Sequence, residues 1–209
     1  MESLQELVKR LEEKGILKTP SIKEALLKVD RVHFVVPEYR DYVYHDRPLP
    51  LKEGQTISQP LTVVFMLELL QPKKGHKVLD VGSGSGWTTA LLAELVGEEG
   101  NVFAIERIKS LKEFGEKNLN KLKYKNVQFI EGNGARGLPE YAPFDRILVN
   151  ASAKTTPPAL KEQLKTGGKM VIPIDNLLYG GYLTLLNKVG ENHYQEEIYP
   201  GFTFVPFIT

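Results

Sequence analysis

The sequence predicts an α/β fold whose core is a doubly wound, mostly parallel β-sheet. Five short hydrophobic runs typical of buried strands recur along the chain, with helical segments between several of them, at residues 78–81, 102–106, 127–131, 147–150 and 170–174. A glycine-rich turn follows the first run, at residues 82–86. Strands that alternate with helices form a parallel sheet covered on both faces, and a glycine turn after the first strand is typical of a ligand-binding edge.

Helical and antiparallel segments flank this core. Apolar residues recur at helical spacing from Leu4 to Leu11, and Ser21 and Glu24 are placed as a capping box for a second helix. After Gly181 the apolar residues follow a strand pattern with no helix between them, which predicts antiparallel strands. We expect a single domain over residues 1–209, with N-terminal helices and a loop at 1–59, an α/β core at 60–175 and C-terminal strands at 176–209.

The segment at residues 30–59 has no sustained period but is rich in proline, aromatic and charged residues. Loops of this length inside a compact domain are usually functional or disordered, and the embedded aromatic and valine side chains favour an ordered, packed loop. We interpret the segment as part of a substrate site. A helix then begins at Pro60, because proline is tolerated in the first helical turn, and continues to Leu70.

Composition excludes several classes of partner and chemistry. The 27 basic and 26 acidic residues give a net charge of +1, which is too small to attract nucleic acid or anionic lipid electrostatically. The chain has no cysteine, so disulfides, thiolate nucleophiles and zinc–thiolate sites are absent. The four histidines lack ligand spacing, and we assign no metal. No apolar signal core or membrane span is recognisable, which predicts a cytoplasmic protein, and we expect a monomer.

The glycine turn does not match the dinucleotide fingerprint. Gly82, Gly84 and Gly86 have the spacing G-x-G-x-G, but Trp87 stands where that fingerprint needs a third small residue. Asp80 precedes the turn, and its negative charge would repel a pyrophosphate at this position. An adenosine that carries a cationic amino-acid tail would not be repelled.

Glu106 supports the same ligand. It ends the second predicted strand, 26 residues after Asp80, where a carboxylate can accept hydrogen bonds from both ribose hydroxyls. Together these residues indicate S-adenosylmethionine. The alternative is a tight turn whose glycines serve only backbone geometry, with Glu106 merely solvated.

Five segments resemble the protein-L-isoaspartate O-methyltransferase family, and the resemblance covers nearly the whole chain. They are DRPLPLKEGQTISQP at 46–60, VLDVGSGSGW at 78–87, GLPEYAPFDRILVNASA at 137–153, LKEQLKTGGKMVIPI at 160–174 and FVPF at 204–207. The glycine motif is common to many methyltransferases, whereas GQTISQP before a helix together with FVPF is specific to this family. The resemblance implies a Rossmann-like class I methyltransferase fold.

The resemblance also implies the reaction. A methyl group would pass from S-adenosylmethionine, leaving S-adenosylhomocysteine, to the α-carboxylate of an isoaspartyl residue in a damaged protein or peptide. Such a carboxylate, with a pKa of about 4, is already ionised at neutral pH, so no general base is required. The residues to seek are therefore those that orient the carboxylate.

Thr56, Ile57 and Ser58 are the expected substrate-binding residues, since they directly precede the helix at Pro60 and can face an anion at its positive end. Ser58 is the first choice for the catalytic group. On the residues alone it could equally be the N-cap of that helix, and both roles can coexist. By the resemblance, Val205 would offer backbone groups to the isoaspartyl main chain, although an ordinary apolar strand residue is the alternative.

The expected cofactor-binding residues come from the glycine turn and from the ends of the first three strands. They are Asp80, Gly82, Ser83, Gly84, Gly86, Glu106, Asn133 and Gly134. Asn133-Gly134 corresponds to an Asp-Gly pair that contacts adenine in the family, although Asn-Gly is also a strong turn pair. The chain departs from the family pattern at Asn133, at Leu61, at Asn150 and between Tyr179 and Tyr182.

Three other functions remain open from the sequence. The first is a methyltransferase dedicated to one aspartyl or isoaspartyl peptide. The second is a module that binds the adenosyl ligand without catalysis. The third, a nicotinamide-dependent oxidoreductase, is disfavoured by the glycine spacing and by Asp80.

Overall fold

The computed structural model describes residues 2–175 and 181–208. Six α-helices form within these residues: α1 Leu4–Glu13, α2 Pro20–Lys28, α3 Pro60–Leu70, α4 Trp87–Val96, α5 Lys109–Asn120 and α6 Pro158–Gln163. Nine strands form as well: β1 Leu49–Pro50, β2 Thr56–Ile57, β3 Lys77–Val81, β4 Asn101–Glu106, β5 Val127–Glu131, β6 Phe144–Val149, β7 Leu164–Ile174, β8 Tyr182–Gly190 and β9 His193–Pro200.

Seven strands form the central sheet, in the order β5-β4-β3-β6-β7-β8-β9. Strands β3 to β7 are parallel, whereas β8 is antiparallel to β7 and β9 is antiparallel to β8. The predicted doubly wound, mostly parallel sheet with antiparallel C-terminal strands is confirmed. The chain reverses its direction of travel across the sheet between β3 and β6, and ligands bind at the carboxyl ends of strands at such a switch point.

Two strands begin earlier than the sequence pattern predicts. Strand β6 starts at Phe144 rather than at residue 147, and β7 starts at Leu164 rather than at residue 170. Their register shifts between Phe144 and Arg146, which marks an irregularity in the pairing. The polar and glycine residues that open β7 carry no strand pattern, so only the pairing with β6 makes this stretch part of the sheet.

Two hydrophobic clusters cover the two faces of the sheet. Val78 belongs to one cluster and Leu79 to the other, as Leu148 and Ile147 do in the neighbouring strand. Successive strand residues point to opposite faces, so the clusters lie on opposite sides. The first cluster also contains buried residues of α1 and α2, which pack the N-terminal helices against the core.

The predicted capping box at Ser21 and Glu24 is wrong. Helix α2 begins at Pro20, its N-cap is Thr19, and Ser21 lies inside the helix. The Thr19 hydroxyl instead donates a 2.7 Å hydrogen bond to the Glu68 carboxylate of α3. Proline at the first position fixes where the helix starts, which the Ser-x-x-Glu spacing does not reveal. A capping box does form on α1, between Ser3 and Glu6.

The segment at residues 30–59 is ordered and packed, as predicted. It forms two 3₁₀-helices, Arg31–Phe34 and Pro37–Tyr42, and then the hairpin of β1 and β2. Phe34 is fully buried in the core, and the Tyr44 hydroxyl donates to the Asp30 carboxylate. The hairpin carries Thr56 and Ile57 to the carboxyl edge of the central sheet, where they line a cleft.

Candidate active site

A cleft opens at the carboxyl ends of β3 and β4. Its walls come from the glycine turn, the end of β4, the segment at 55–58, the start of the loop after β6 and the C-terminal segment at 205–208. Nine of the predicted site residues line it: Thr56, Ile57, Ser58, Gly82, Ser83, Gly84, Glu106, Gly134 and Val205.

Three predicted cofactor residues, Asp80, Gly86 and Asn133, do not line this cleft. Gly86 is the N-cap of α4, with a φ of +83° that favours glycine. A Cβ at Gly86 would lie 2.8 Å from Leu119 and 3.0 Å from the Gly115 carbonyl oxygen. Gly86 therefore allows α5 to pack closely against the turn, and the contact expected from it is indirect.

Glu106 faces the cleft in a fixed orientation. Its side chain is buried, at 7% exposure, and each carboxylate oxygen accepts a backbone hydrogen bond. Oε2 accepts from the Gly84 N–H at 2.9 Å, and Oε1 accepts from the Ile108 N–H at 3.0 Å. A carboxylate offers about four acceptor positions, so two remain for the hydroxyls of a ligand.

Asp80 lies beneath the cleft rather than at its mouth. It is fully buried, and its carboxylate accepts hydrogen bonds from Thr89 at 2.6 Å, Asn150 at 2.7 Å and Thr88 at 3.1 Å. Burial raises the pKa of Asp80 to about 6, against the effect of these donors, and the charge of Glu106 raises it further. Asp80 does not line the cleft, so the cofactor contact expected from it is indirect. Its influence on the cleft runs through Thr88 and Asn150, which do line it.

These two carboxylates make the cleft suited to a cationic ligand. Glu106 lines the wall, and Asp80 lies behind it. The negative potential disfavours a pyrophosphate and favours a sulfonium or an ammonium group. The Ser83 hydroxyl, in the same wall, is buried without a hydrogen-bond partner among the described residues. A buried unpaired hydroxyl calls for a polar partner, so the wall fits the polar groups of S-adenosylmethionine.

Asn133 has a local structural role. Its side-chain oxygen accepts a 2.9 Å hydrogen bond from the Ala135 N–H and so caps the 3₁₀-helix Gly134–Arg136. Gly134 lines the cleft, and a Cβ there would lie 2.5 Å from Val81 and 3.2 Å from Phe207. The turn predicted as the alternative for this pair is therefore present, with only Gly134 at the cleft.

The alternative role of Ser58 as an N-cap is wrong. The N-cap of α3 is Gln59, and its side chain makes no capping hydrogen bond. The positive end of α3 is also occupied, because the Asp46 carboxylate accepts a 2.9 Å hydrogen bond from the Leu61 N–H. An incoming anion would meet like charge there. Any carboxylate bound by this segment therefore depends on Ser58 and Thr56 and on their neighbouring backbone groups rather than on the helix end.

The C-terminal segment forms another wall of the cleft. The Ser152 N–H donates to the Val205 carbonyl at 2.8 Å, and the Phe207 N–H donates to the Ser152 carbonyl at 2.8 Å. This short parallel bridge fixes Val205 beside the loop that follows β6. Because one lone pair of the Val205 carbonyl is already used, the backbone contact predicted for it depends on its N–H or on its second lone pair.

The sequence reasoning missed three residues that shape the site. Arg31 binds the carbonyl of Ser58, Asp46 caps α3, and Asn150 binds Asp80. In the sequence, Asn150 stands out only as a departure from the family pattern. Of the departures between Tyr179 and Tyr182, Tyr179 and Gly180 lie outside the described residues. No spacing rule connects Arg31 or Asp46 to a segment more than ten residues away, and the only sequence signal for either is that Asp46 opens the family segment at 46–60.

Among residues 2–175 and 181–208, no group of three or more His, Cys, Asp or Glu side chains is placed to hold a metal ion. No helix in the same residues is long and apolar enough to cross a membrane.

A doubly wound sheet with a glycine turn after its first core strand and an acidic residue at the end of the next defines the class of nucleoside-binding α/β proteins. Within this class, residues 2–209 match the family Protein-L-isoaspartate(D-aspartate) O-methyltransferase. The chain belongs to this family.

Individual relatives agree with the family assignment. The chain is 45% identical, over 205 residues, to a protein-L-isoaspartate O-methyltransferase of Methanopyrus kandleri, covering 98% of this chain and 90% of the relative. A solved protein-L-isoaspartate O-methyltransferase matches with a TM-score of 0.89 and 29% identity, over 98% of this chain and 65% of that one. A Plasmodium falciparum protein described as the same enzyme, in complex with S-adenosyl-L-homocysteine, matches with a TM-score of 0.88 and 28% identity, over 100% and 99% of the two chains.

Proposed function

We propose that this cleft transfers a methyl group from S-adenosylmethionine to the α-carboxylate of L-isoaspartyl residues in damaged proteins and peptides. The chain is a protein repair methyltransferase of the family to which it belongs. The observation that carries the proposal is that Glu106 and Ser58 line the same cleft. A residue suited to bind the cofactor ribose and a residue suited to bind the substrate are thereby brought to one place.

The cofactor lies, in this proposal, along the carboxyl ends of β3 and β4. Glu106 binds the ribose hydroxyls, the turn at 82–84 holds the amino-acid part, and Gly134 lies beside the adenine. Asp80, Gly86 and Asn133 support these residues from outside the cleft. S-adenosylmethionine supplies an electrophilic methyl group on its sulfonium and leaves as S-adenosylhomocysteine.

The protein's contribution to the reaction is orientation. The substrate carboxylate is ionised at neutral pH, so the residues around Ser58 need only hold one oxygen in line with the methyl group. Orientation of this kind can contribute on the order of 7 to 11 kcal/mol. One oxygen–carbon bond forms as the sulfur–carbon bond breaks, and the carboxylate becomes a methyl ester.

Repair is completed without further catalysis. The backbone nitrogen of the residue after the isoaspartate attacks the carbonyl carbon of the methyl ester, methanol leaves, and a succinimide forms. Addition of water then opens the ring to give either aspartate or isoaspartate, and the isoaspartate can be methylated again. The enzyme therefore needs no group for the later steps, in agreement with a cleft that holds no His or Lys among its lining residues.

Methyl transfer to a pair of matched peptides tests this function. Radiolabelled S-adenosylmethionine is supplied with several unrelated isoaspartyl peptides and with their aspartyl twins. We expect label in every isoaspartyl peptide and none in the twins. Label in a single peptide sequence would indicate a dedicated methyltransferase instead. Cofactor binding without any transfer would indicate a non-catalytic binding module.

The proposal also covers organisation and setting. We propose one methyltransferase domain over residues 1–209, since α1 and α2 share a hydrophobic cluster with the sheet. Its partners are isoaspartyl proteins and peptides, and it binds no nucleic acid. The enzyme acts as a cytoplasmic monomer. Light scattering of the purified protein and cell fractionation test the last two points.

A further inference from the structure

Arg31 is a buried cation whose partners are carbonyl oxygens. It is 1% exposed, and its pKa is lowered by burial to about 9, so it is charged at neutral pH. Among the described residues its guanidinium donates only to carbonyl groups; the Asp46 carboxylate raises its pKa through its charge but forms no ion pair with it. Burying a charge without an ion pair costs free energy of folding, so a buried Arg31 requires a compensating role.

The carbonyl partners of Arg31 belong to three places in the loop that shapes the substrate side of the cleft. Nη1 donates to the Val43 carbonyl at 2.6 Å. Nη2 lies 3.2 Å from the Arg47 carbonyl and 2.9 Å from the Ser58 carbonyl, with the Ile57 carbonyl at 3.5 Å. One planar group thus ties the start of the loop to the residues proposed to bind substrate. Its rigid fork of donors suits this task better than an ammonium group does.

The guanidinium also contacts the side of the cleft where the cofactor is proposed to bind. Its central carbon lies 5.2 Å from the centre of the Trp87 ring, which is a cation–π contact. Trp87 opens α4 directly after the glycine turn and lines the cleft. Arg31 therefore contacts both the segment proposed to bind substrate and the helix that follows the cofactor turn.

We propose that Arg31 is a positioning residue for the substrate carboxylate, acting through the peptide groups of Ile57 and Ser58. The bound carbonyls fix the loop in shape before substrate arrives. A cation at these carbonyls also polarises the two peptide groups and makes their N–H groups, which belong to Ser58 and Gln59, stronger donors. This inference rests on the proposed function of the same cleft.

Arg31→Lys tests the inference, with Arg146→Lys as its matched control. Arg146 is also a buried arginine, at 8% exposure, and donates to the carbonyls of Gln71 at 3.2 Å and Asp145 at 2.7 Å. It lies near the start of β6, away from the cleft. The readouts are kcat/KM for an isoaspartyl peptide, the affinity for S-adenosylhomocysteine by calorimetry, and the melting temperature.

We expect Arg31→Lys to lower kcat/KM for the peptide at least tenfold while cofactor affinity stays within threefold of native. Arg146→Lys should keep native kcat/KM whatever its melting temperature. Native kcat/KM in Arg31→Lys, or an equal loss in both variants, would overturn the inference. If the native enzyme itself fails to methylate isoaspartyl peptides, the proposed function fails instead.

NMR order parameters of the native protein give a second test that needs no folded variant. A loop held in shape by Arg31 should be rigid before substrate binds. We expect order parameters of about 0.85 for the Ser58 and Gln59 amides in the substrate-free protein, the value of a rigid backbone. Values below about 0.6 would show that the loop is not preformed and would contradict the role of Arg31.

Discussion

Asn150 donates a 2.7 Å hydrogen bond from its side-chain amide to the buried carboxylate of Asp80. The bond joins the carboxyl ends of β6 and β3, on the two sides of the point where the sheet reverses its order. Asn150 lines the cleft and Asp80 does not. A residue that appeared only as a departure from the family pattern thus connects the buried charge to the cleft.

The buried state of Asp80 predicts a pH dependence of stability. Burial raises its pKa from 3.8 to about 6 in the folded protein, so the folded state binds a proton more tightly than the unfolded state does. Lowering the pH from 7 to 4 should therefore stabilise the native protein relative to Asp80→Asn, which cannot titrate there. Urea unfolding of both proteins at pH 7, 5.5 and 4 measures this difference. The raised pKa would be contradicted if the free energy of unfolding of the native protein, minus that of Asp80→Asn, stayed constant or fell as the pH was lowered.

Glu106 should contribute directly to cofactor affinity. Glu106→Ala removes acceptors for the ribose hydroxyls and should weaken binding of S-adenosylhomocysteine by about 1.5 to 3 kcal/mol, the range for hydrogen bonds to a charged group. The matched control is Glu131→Ala. Glu131 pairs with Glu106 across β4 and β5 but is exposed and outside the cleft. Calorimetry should show near-native affinity for the control. Equal affinities in the two variants would show that Glu106 does not bind the cofactor.

Asn133 should tolerate replacement by an acid. The side-chain oxygen that caps the 3₁₀-helix is retained in Asn133→Asp, and aspartate caps as well as asparagine does. We expect this variant to melt close to native and to bind S-adenosylhomocysteine at least as tightly. Asn133→Ala, which loses the cap, should lose about 1 kcal/mol of stability. A clear loss of cofactor affinity in Asn133→Asp would show that the site is adapted to the neutral side chain.

The sequence predicted those parts of the fold that depend on local pattern. The parallel strands, the helix at Pro60 and the antiparallel C-terminal strands follow from periodicity and turn residues, and the structure confirms them. The start of β7 was missed because Thr166 and Gly167 carry no strand pattern. The capping box at Ser21 was wrong because Pro20 already opens the helix.

The site was predicted in part, and the reason is geometric. Residues next to the glycine turn or at the end of β4 could be placed from strand order alone, and Gly84 and Glu106 do line the cleft. Whether a side chain enters the cleft or turns into the core depends on packing. Asp80 has partners on α4 that no spacing rule reveals, whereas Asn133 accepts from the N–H two residues on, as its turn pair predicts. Arg31 and Asp46 act on residues distant in sequence, which only the folded loop brings together.

Ser58 is the residue on which the catalytic account depends. Because Gln59 rather than Ser58 is the N-cap of α3, Ser58→Ala should melt within a few degrees of the native protein. Its lost hydroxyl should nevertheless lower methyl transfer at least tenfold, a deficit of about 1.4 kcal/mol in transition-state stabilisation. The neighbouring Gln59→Ala is the control, since Gln59 does not line the cleft and makes no side-chain capping bond.

The most direct measurement is therefore kcat/KM for one isoaspartyl peptide in the native protein, Ser58→Ala and Gln59→Ala, at saturating S-adenosylmethionine. The account predicts a loss of tenfold or more in Ser58→Ala and a near-native value in Gln59→Ala, with cofactor affinity unchanged in both. Near-native turnover in Ser58→Ala would contradict it, and orientation of the carboxylate would then have to come from Thr56 and the backbone groups around Ile57.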